Sequence, residues 1–182
     1  MQFKWRNPQQ TESGFTLLEI VIIFAIMAIL SAIAIPSYLQ WLRISRLNFA
    51  RDQVAIGLKQ ANYTARQTRL PHRFMIKPQG DRVVWAIAPI LTDPNPSGAI
   101  NWNMLPEGIQ IDRETTLLKP SNQDYYTIQF SHYGEVNGQL GRVTLSFVEN
   151  EKTKRCAIVS TLLGEVRSGS DRPTKQNDKY CY

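Results

Sequence analysis

A single carboxylate lies in the most apolar part of the chain. Residues 15–35 read FTLLEIVIIFAIMAILSAIAI, and Glu19 is their only charged side chain. A carboxylate inside a bilayer costs roughly 3 kcal/mol. Thr16 and Ser31, the remaining polar residues of this run, carry no charge that could neutralise it. We therefore expect Glu19 to meet a partner from another chain or to lie near the membrane interface.

A new cation would arise near Glu19 if the chain were cut between Gly14 and Phe15. The cut would leave an α-amino group at the start of the apolar helix. A neighbouring copy shifted along the helix axis would bring this group next to the glutamate. Such a pair would neutralise both charges and fix the register between copies, although desolvation consumes much of the gain.

Few other residues have types and spacing that suit chemistry. The histidines His72 and His132 lie far apart in predicted strands, and no pair of Cys or His residues has the spacing of a metal site. Asp93, Asn95 and Ser97 alternate in a loop that would suit a weak cation site, but prolines intervene and an ordinary turn is the simpler explanation. No nucleophile has an evident base, so we expect neither catalysis nor a cofactor.

The apolar run predicts a membrane-spanning helix that continues well beyond the membrane. At about 1.5 Å per residue, residues 15–35 form a helix about 31 Å long, which matches the roughly 30 Å hydrocarbon core. We predict one helix of about fifty residues, with a transmembrane half at 15–36 and an amphipathic half at 37–70. In the second half the apolar residues recur at the period of a helix: Leu47, Ala50, Val54, Leu58, Ala61 and Ala65.

Two simpler explanations of the apolar segment stay open. Ala32-Ile33-Ala34 is similar to the cleavage site of a secretory signal, but the apolar run is too long for one and carries a carboxylate. A plain signal anchor fits better. The positive charges do not decide the orientation, because they occur on both sides of the span: Lys4 and Arg6 before it, and Arg43, Arg46 and Arg51 after it.

The remaining residues, 71–182, predict an antiparallel sheet. Short apolar runs alternate there with turn signals: strands at 72–77, 82–91, 108–111, 125–130, 142–148 and 156–167, a turn at 78–81, a loop at 92–98, and a turn at Asn137-Gly138. Packed against the amphipathic helix, this sheet gives an α+β fold. The composition, 43% hydrophobic and 20% charged with a net charge of +6, excludes collagen-like and wholly disordered chains.

The segment Gly14-Phe15-Thr16-Leu17-Leu18-Glu19 resembles the class III signal of type IV pilins and type II secretion pseudopilins. It follows a short polar leader and opens an unbroken apolar helix, as in that family. The resemblance implies a pilin-like fold and a leader at 1–14 that prepilin peptidase removes after Gly14 on the cytoplasmic side. It also implies N-methylation of Phe15, docking of subunits through Glu19 during filament assembly, and a helix weak point at Pro36.

The order of the elements resembles that of GspH/FimT-type minor pilins and pseudopilins. The residues that carry this likeness are Ala65-Arg66-Gln67-Thr68 at the end of the helix, Phe130 with Gly134 in a strand and turn, and Gly164-Glu165-Val166-Arg167 in the last strand. The likeness implies a minor pilin of a type IV pilus machine, which supports pilus assembly and pilus-dependent functions such as DNA uptake or motility. A GspH-like minor pseudopilin of a type II secretion system is the alternative.

The family likeness also implies a location and partners. The chain would wait in the inner membrane as a single-pass precursor, with a cytoplasmic N-terminus and a periplasmic C-terminal domain. It would then enter an extracellular or periplasmic filament. Its partners would be other pilin or pseudopilin subunits, prepilin peptidase and the inner membrane.

Cys156 and Cys181 are the two cysteines of a chain whose bulk is expected outside the cytoplasm, which suggests a disulfide. Closing a loop of about 25 residues would stabilise the fold by roughly 3–4 kcal/mol. The bridge would tie down the polar tail GSDRPTKQNDKY, which has no core of its own. Major pilins of the family also have a C-terminal disulfide loop. Two unrelated thiols are the alternative.

Basic residues near the C-terminus suggest DNA as a further partner. Arg167, Arg172 and Lys175 would hold DNA phosphates without sequence specificity. FimT-type minor pilins are associated with DNA capture through a Gly-Arg-x-Arg motif near the end of the chain. Glu165 stands here in place of the first arginine of that motif. A solvated basic face is the alternative.

Overall fold

The computed structural model describes residues 15–90 and 100–182. These residues form one long helix, α1 (Leu17–Thr68), followed by ten strands. The described residues divide into two compact units, of which the first ends at residue 42 and the second begins at residue 43. With 52 residues, α1 confirms the single long helix predicted from the apolar run and the stripe that follows it.

The first unit is helical from Leu17 onward. The helix continues through Pro36, which lies inside α1 and does not end it. Every described residue from Phe15 to Trp41 is exposed, so this part of the helix buries no side chain within the chain. Its apolar surface is therefore free to face lipid or other helices.

The second unit contains two antiparallel sheets of five strands each among the described residues. The first has the order β3-β2-β1-β5-β6 and consists of β1 (His72–Gln79), β2 (Arg82–Pro89), β3 (Asn103–Met104), β5 (Tyr126–Phe130) and β6 (Val136–Asn137). The second has the order β10-β9-β8-β7-β4 and consists of β4 (Ile109–Ile111), β7 (Arg142–Phe147), β8 (Lys154–Val159), β9 (Val166–Gln176) and β10 (Lys179–Cys181).

The second half of α1 packs against both sheets. The predicted apolar stripe is fully buried and belongs to one core cluster with residues of both sheets: Leu47, Ala50, Val54, Leu58, Ala61 and Ala65. Half of these side chains are alanines, which let the helix backbone come close to the strands. The α+β fold with an amphipathic helix on a sheet is therefore confirmed, although two sheets replace the one that the sequence predicted.

The hairpin predicted at 78–81 is confirmed. Gln79 pairs with Arg82 across a turn in which Gly80 has a φ of 64°. A positive φ is costly for residues with a Cβ, which explains why position 80 is a glycine. The turn predicted at Asn137-Gly138 is present as a bend after β6, in which Gly138 has a φ of 114°, and the chain also reverses earlier, between Ser131 and Gly134.

The C-terminal region differs most from the prediction. The single strand predicted at 156–167 is two strands, β8 and β9, separated by a turn that contains Gly164 with a φ of 79°. The polar tail forms most of β9 and the short β10. Asn177 and Asp178 join these strands and both have positive φ, as the tightest hairpin turns require. Backbone pairing orders this tail, and an apolar pattern could not reveal it.

Gly57 lets α1 approach the stacked rings of Phe74 and Trp85, whose centroids are 5.9 Å apart. A Cβ at Gly57 would lie 2.7 Å from Trp85 Cζ3 and 2.8 Å from Phe74 Cε2. We expect Gly57→Val to destabilise the head by about 1–3 kcal/mol through overpacking. Urea unfolding of the full chain in detergent micelles measures this change.

The matched control is Ile56→Val. Ile56 is the preceding residue and is 60% exposed, so this variant should shift the unfolding free energy by no more than about 0.5 kcal/mol. Equal unfolding midpoints for Gly57→Val and the unmodified chain would contradict the close packing.

Candidate functional site

The start of α1 places Glu19 in the first helical turn. The helix begins at Leu17, so Thr16 is the N-cap residue and Glu19 is the third residue of the helix. The Glu19 backbone N donates to Thr16 Oγ1 at 3.3 Å, which is the threonine half of a capping box. Sequence reasoning missed this cap, although the spacing Thr-x-x-Glu was its signal. Among the described residues the Glu19 carboxylate forms no ion pair.

The apolar half of α1 is long and apolar enough to cross a membrane, with a mean hydropathy of 2.8 in its most apolar window. Phe15 is 72% exposed at the beginning of this segment. Gly14 lies outside the described residues, so cleavage after it stays a prediction. Pro36 lies in an unbroken helix, and its role as a weak point also stays a prediction.

The predicted bridge between Cys156 and Cys181 is present, with a Cα–Cα distance of 6.1 Å and both residues fully buried. It connects β8 to β10, which lie on either side of β9 in the sheet. Gly169 of β9 pairs with Cys156, and a Cβ there would lie 2.8 Å from Cys156 Sγ. The absence of a side chain at Gly169 therefore makes room for the disulfide.

A cluster of charged side chains also contacts the hairpin of β9 and β10. Lys154 Nζ donates to Asp112 Oδ1 and to Glu114 Oε1, both at 2.9 Å. Glu114 Oε2 accepts from the backbone N of Tyr180 at 3.1 Å and of Cys181 at 3.3 Å. Glu114 therefore connects the partly buried ammonium of Lys154 to β10. Sequence reasoning missed this cluster, since Lys154 is separated from Asp112 by 42 positions and from Glu114 by 40, and no local signal joins them.

The surroundings of Lys154 favour its charged form. Burial disfavours the ammonium and lowers its pKa, but the hydrogen bonds that Lys154 donates to Glu114 and Asp112, together with the negative charge of these carboxylates, outweigh burial and raise the pKa of Lys154 above its ordinary value of 10.5. The side chain of Asp112 is only 3% exposed, so its carboxylate depends on this ammonium as its counterion. The cluster therefore stabilises the C-terminal hairpin of β9 and β10.

The three cations predicted to contact DNA are all exposed on β9. Arg172 lies over the ring of Tyr182 at 4.9 Å, and Lys175 lies over the ring of Tyr180 at 5.3 Å. Arg167 pairs through its backbone with Ile158 of β8. These contacts attach two of the cations to aromatic rings of the same hairpin. They do not distinguish a DNA surface from a solvated basic face, so DNA binding stays a prediction.

The histidines have separate environments. His72 is buried in β1, and its Nδ1 lies 2.8 Å from the carbonyl O of Leu70. His132 lies in a turn beside Tyr133, so its predicted placement in a strand is wrong. The described part of the chain contains no group of three His, Cys, Asp or Glu residues that could hold a metal ion. The polar residues of 93–97 lie outside the described residues.

Residues 10–35 match the family described as the prokaryotic N-terminal methylation motif, which is the motif of type IV pilins. The matched segment leads into the long apolar helix, and the antiparallel β head follows that helix. Among solved structures, the chain is similar to the minor pseudopilin EpsH from the Type 2 Secretion System of Vibrio cholerae. That similarity has 18% identity and a TM-score of 0.39, and it covers 69% of this chain and 94% of the other. No curated protein matches the chain.

Replacing Lys154 tests the charged cluster. Lys154→Met leaves the carboxylates of Asp112 and Glu114 without their cation, and we expect a loss of about 3–5 kcal/mol in unfolding free energy. Because folding raises the pKa of Lys154 above 10.5, its contribution is fully present below the unfolded-state pKa and disappears as the pH rises through the folded-state pKa.

Urea unfolding of both chains from neutral to strongly alkaline pH measures this dependence. The stability difference between them should be constant at neutral pH and should shrink once the pH exceeds about 10.5. Lys152→Met is the matched control, because Lys152 is exposed two residues earlier. The cluster has no stabilising role if both variants unfold at the same urea concentration.

Removal of the disulfide should loosen the C-terminal hairpin first. In the double variant Cys156→Ser, Cys181→Ser we expect a loss of roughly 3–4 kcal/mol, which is the loop-closure contribution of a 25-residue separation. Amide hydrogen exchange should accelerate most in β10, which has only three residues. Unchanged exchange in β10 would mean that noncovalent contacts, among them those of Glu114 and Arg142 with Cys181, hold the strand without the bridge.

Proposed function

We propose that this chain is a minor pilin of a type IV pilus machine in a diderm bacterium. In this proposal prepilin peptidase removes residues 1–14 by cleaving after Gly14, Phe15 is N-methylated, and the chain joins a filament through α1. Its role is assembly rather than turnover. The apolar half of α1 packs against helices of other subunits, and the β head contacts partner subunits.

The observation that carries the proposal is the Glu19 carboxylate at the start of the apolar span, without a partner in the described part of the chain. Placing a carboxylate in the bilayer costs roughly 3 kcal/mol. The dipole of its own helix returns only about 0.3–1 kcal/mol. The N-terminal position of Glu19 therefore does not offset the cost, and in this proposal the neutralising cation comes from another subunit.

The α-amino group of Phe15 in a neighbouring subunit would supply this cation. Cleavage after Gly14 creates the amine, and Glu19 lies about 6 Å further along the helix axis. A neighbour displaced along the axis by roughly that distance brings the two charges together. The pair would fix the axial register of the subunits, and a single N-methyl group leaves the amine basic.

The proposed location follows from the same elements. Before assembly the precursor would cross the inner membrane once, with its N-terminus in the cytoplasm and its head in the periplasm. The Cys156–Cys181 bridge supports this orientation, because structural disulfides persist in oxidising compartments and are rare in the cytosol.

A GspH-like minor pseudopilin of a type II secretion system is the second candidate, since the methylation motif and Glu19 would serve both machines in the same way. Deletion of the gene separates the two. Loss of surface pili, motility or DNA uptake favours the pilus machine. Retention of secreted proteins in the periplasm favours the secretion system.

Substitutions at the start of α1 test the role of the Glu19 charge. Glu19→Gln keeps a residue that suits a capping box but removes the charge. We expect this chain to be cleaved after Gly14 and yet to enter filaments at a small fraction of the normal level. Immunoblots of sheared filaments and intact-mass spectrometry measure incorporation, cleavage and methylation.

Thr16→Ala is the matched control, because it removes the cap and retains the carboxylate. It should cost about 1 kcal/mol of local helix stability and leave incorporation near normal. Gly14→Val provides the uncleaved reference. Normal incorporation of Glu19→Gln into filaments would reject the charge-pairing proposal. So would a failure of Thr16→Ala to enter filaments when Glu19→Gln enters them normally.

A further inference from the structure

The C-terminal end of α1 is fastened to two turns of the head. Asn62 Nδ2 donates to the carbonyl O of Gly134 at 2.5 Å and to that of Leu163 at 3.3 Å. The backbone N of Val136 donates to the carbonyl O of Leu162 at 2.7 Å, which joins the two turns. The helix end and both turns therefore form one fixed platform.

Two glycines allow this close approach. Gly134 has a φ of 82° and Gly164 a φ of 79°, and both values favour glycine. A Cβ on Gly134 would overlap the side chain of Arg66, and a Cβ on Gly164 would overlap that of Asn62. The platform thus has a defined geometry that positions the side chains around it.

The platform presents cationic and aromatic side chains that have few partners. Arg66, Arg69, His132 and Tyr133 line an open cleft of about 490 Å³. One nitrogen of Arg66 donates to the carbonyl O of Leu163 at 3.1 Å. Within the described ranges 15–90 and 100–182, neither arginine forms an ion pair with a carboxylate. The cleft is therefore suited to an anionic group.

Exposed apolar side chains lie next to these cations. Leu162 and Leu163 are 62% and 67% exposed, in the turn closed by the bond from the backbone N of Gly164 to the carbonyl O of Thr161. Tyr133 in the neighbouring turn is 70% exposed. Two consecutive leucines at the tip of a turn are unusual, because turn tips are ordinarily polar.

Arg69 occupies a backbone conformation that does not suit it. It follows the last residue of α1 and has a φ of 55°. At this position, just beyond a helix end, glycine or asparagine normally adopts the left-handed conformation. Strained backbone conformations of this kind cluster at functional sites, where the surrounding structure holds them. Arginine at this position thus points to a contact that the isolated chain does not make.

We propose that the helix-end surface, formed by Arg66, Arg69, His132, Tyr133, Leu162 and Leu163, docks a different filament subunit. The partner presents a carboxylate to the two arginines and an apolar side chain to the leucines and Tyr133. Arginine and tyrosine are enriched in the centres of protein interfaces. A nucleic acid would use the cations and the ring, but it has no counterpart for two exposed leucines.

This docking rests on the proposed function only because the partner is a filament subunit.

The first test places the photo-crosslinking residue p-benzoylphenylalanine at Tyr133 of the full chain, expressed with its own assembly machinery. Mass spectrometry should identify a peptide of another filament subunit that contains Asp or Glu. Crosslinking to DNA, to a second copy of this chain or to a segment without an acidic residue would overturn the proposal.

Val148 is the matched control position for the crosslinker. It is 59% exposed, and the next residue, Glu149, forms an ion pair with Arg43 at 4.0 Å. Arg43 and Arg66 are separated by 23 helical residues, or about 35 Å along α1. Position 148 should give a different set of crosslinks or none. The same peptide captured at equal yield from both positions would overturn the proposal.

The second test changes Arg69 in the chain that carries the crosslinker at Tyr133. Arg69→Glu should lower the crosslink yield about tenfold or more, as expected for reversal of a central interface arginine. Arg69→Gly should also lower the yield while the unfolding temperature stays equal or rises, because glycine suits the positive φ. A full crosslink yield from Arg69→Gly would overturn the assignment of Arg69.

A charge exchange completes the test. Changing the acidic residue of the crosslinked peptide to Lys should restore the yield of the Arg69→Glu chain, and a failure to restore it would reject the ion pair. Both Arg69 variants should still be cleaved after Gly14. If only the docking proposal is wrong, cleavage after Gly14 and the dependence of filament entry on Glu19 stay normal. If the proposed function is wrong, cleavage or this dependence is itself lost.

Discussion

The packing of α1 against the two sheets is the contact on which the rest of the head depends. The helix contributes small side chains to the core that it shares with residues of both sheets. Gly57 lies against the rings of Phe74 and Trp85, at a distance that leaves no room for a side chain. A helix and two sheets, each with an apolar face, are stable only when those faces cover one another. The same helix extends into the apolar span, so one element serves both the head and the proposed filament core.

The C-terminal hairpin needs additional fastening because it is polar. Apart from Val166 and Gly169, the residues of β9 are exposed, and the burial of apolar surface contributes little to holding it. The Cys156–Cys181 bridge and the carboxylate of Glu114 hold β10 from two sides. Lys154 compensates the charge of Glu114 in a partly buried position. Covalent and ionic contacts thus replace the hydrophobic packing that this segment lacks.

Local patterns predicted much of the fold. Local sequence predicts the helical period of the apolar stripe, the hairpin around Gly80 and the disulfide, and the structure confirms all three. The polar hairpin of β9 and β10 was not, because strands that pair through their backbones need no apolar alternation. The turn at Asn137-Gly138 follows a short strand, β6, that the sequence did not predict, since two residues are too few to show an alternating pattern. The N-cap formed by Thr16 can be predicted from the sequence, because it depends on two residues only three positions apart.

The sequence by itself determined the features that depend on neighbours along the chain: the span of 15–35, the single charge at Glu19, the methylation motif and the buried stripe of α1. These follow from the composition and period of one segment. Only the tertiary structure decided which distant residues meet. Lys154 joins Asp112 across 42 positions, and Asn62 joins Gly134 across 72. Such contacts depend on the order and register of the strands, which are set by the simultaneous packing of all the elements. For that reason the charged cluster and the helix-end surface became visible only in the folded chain.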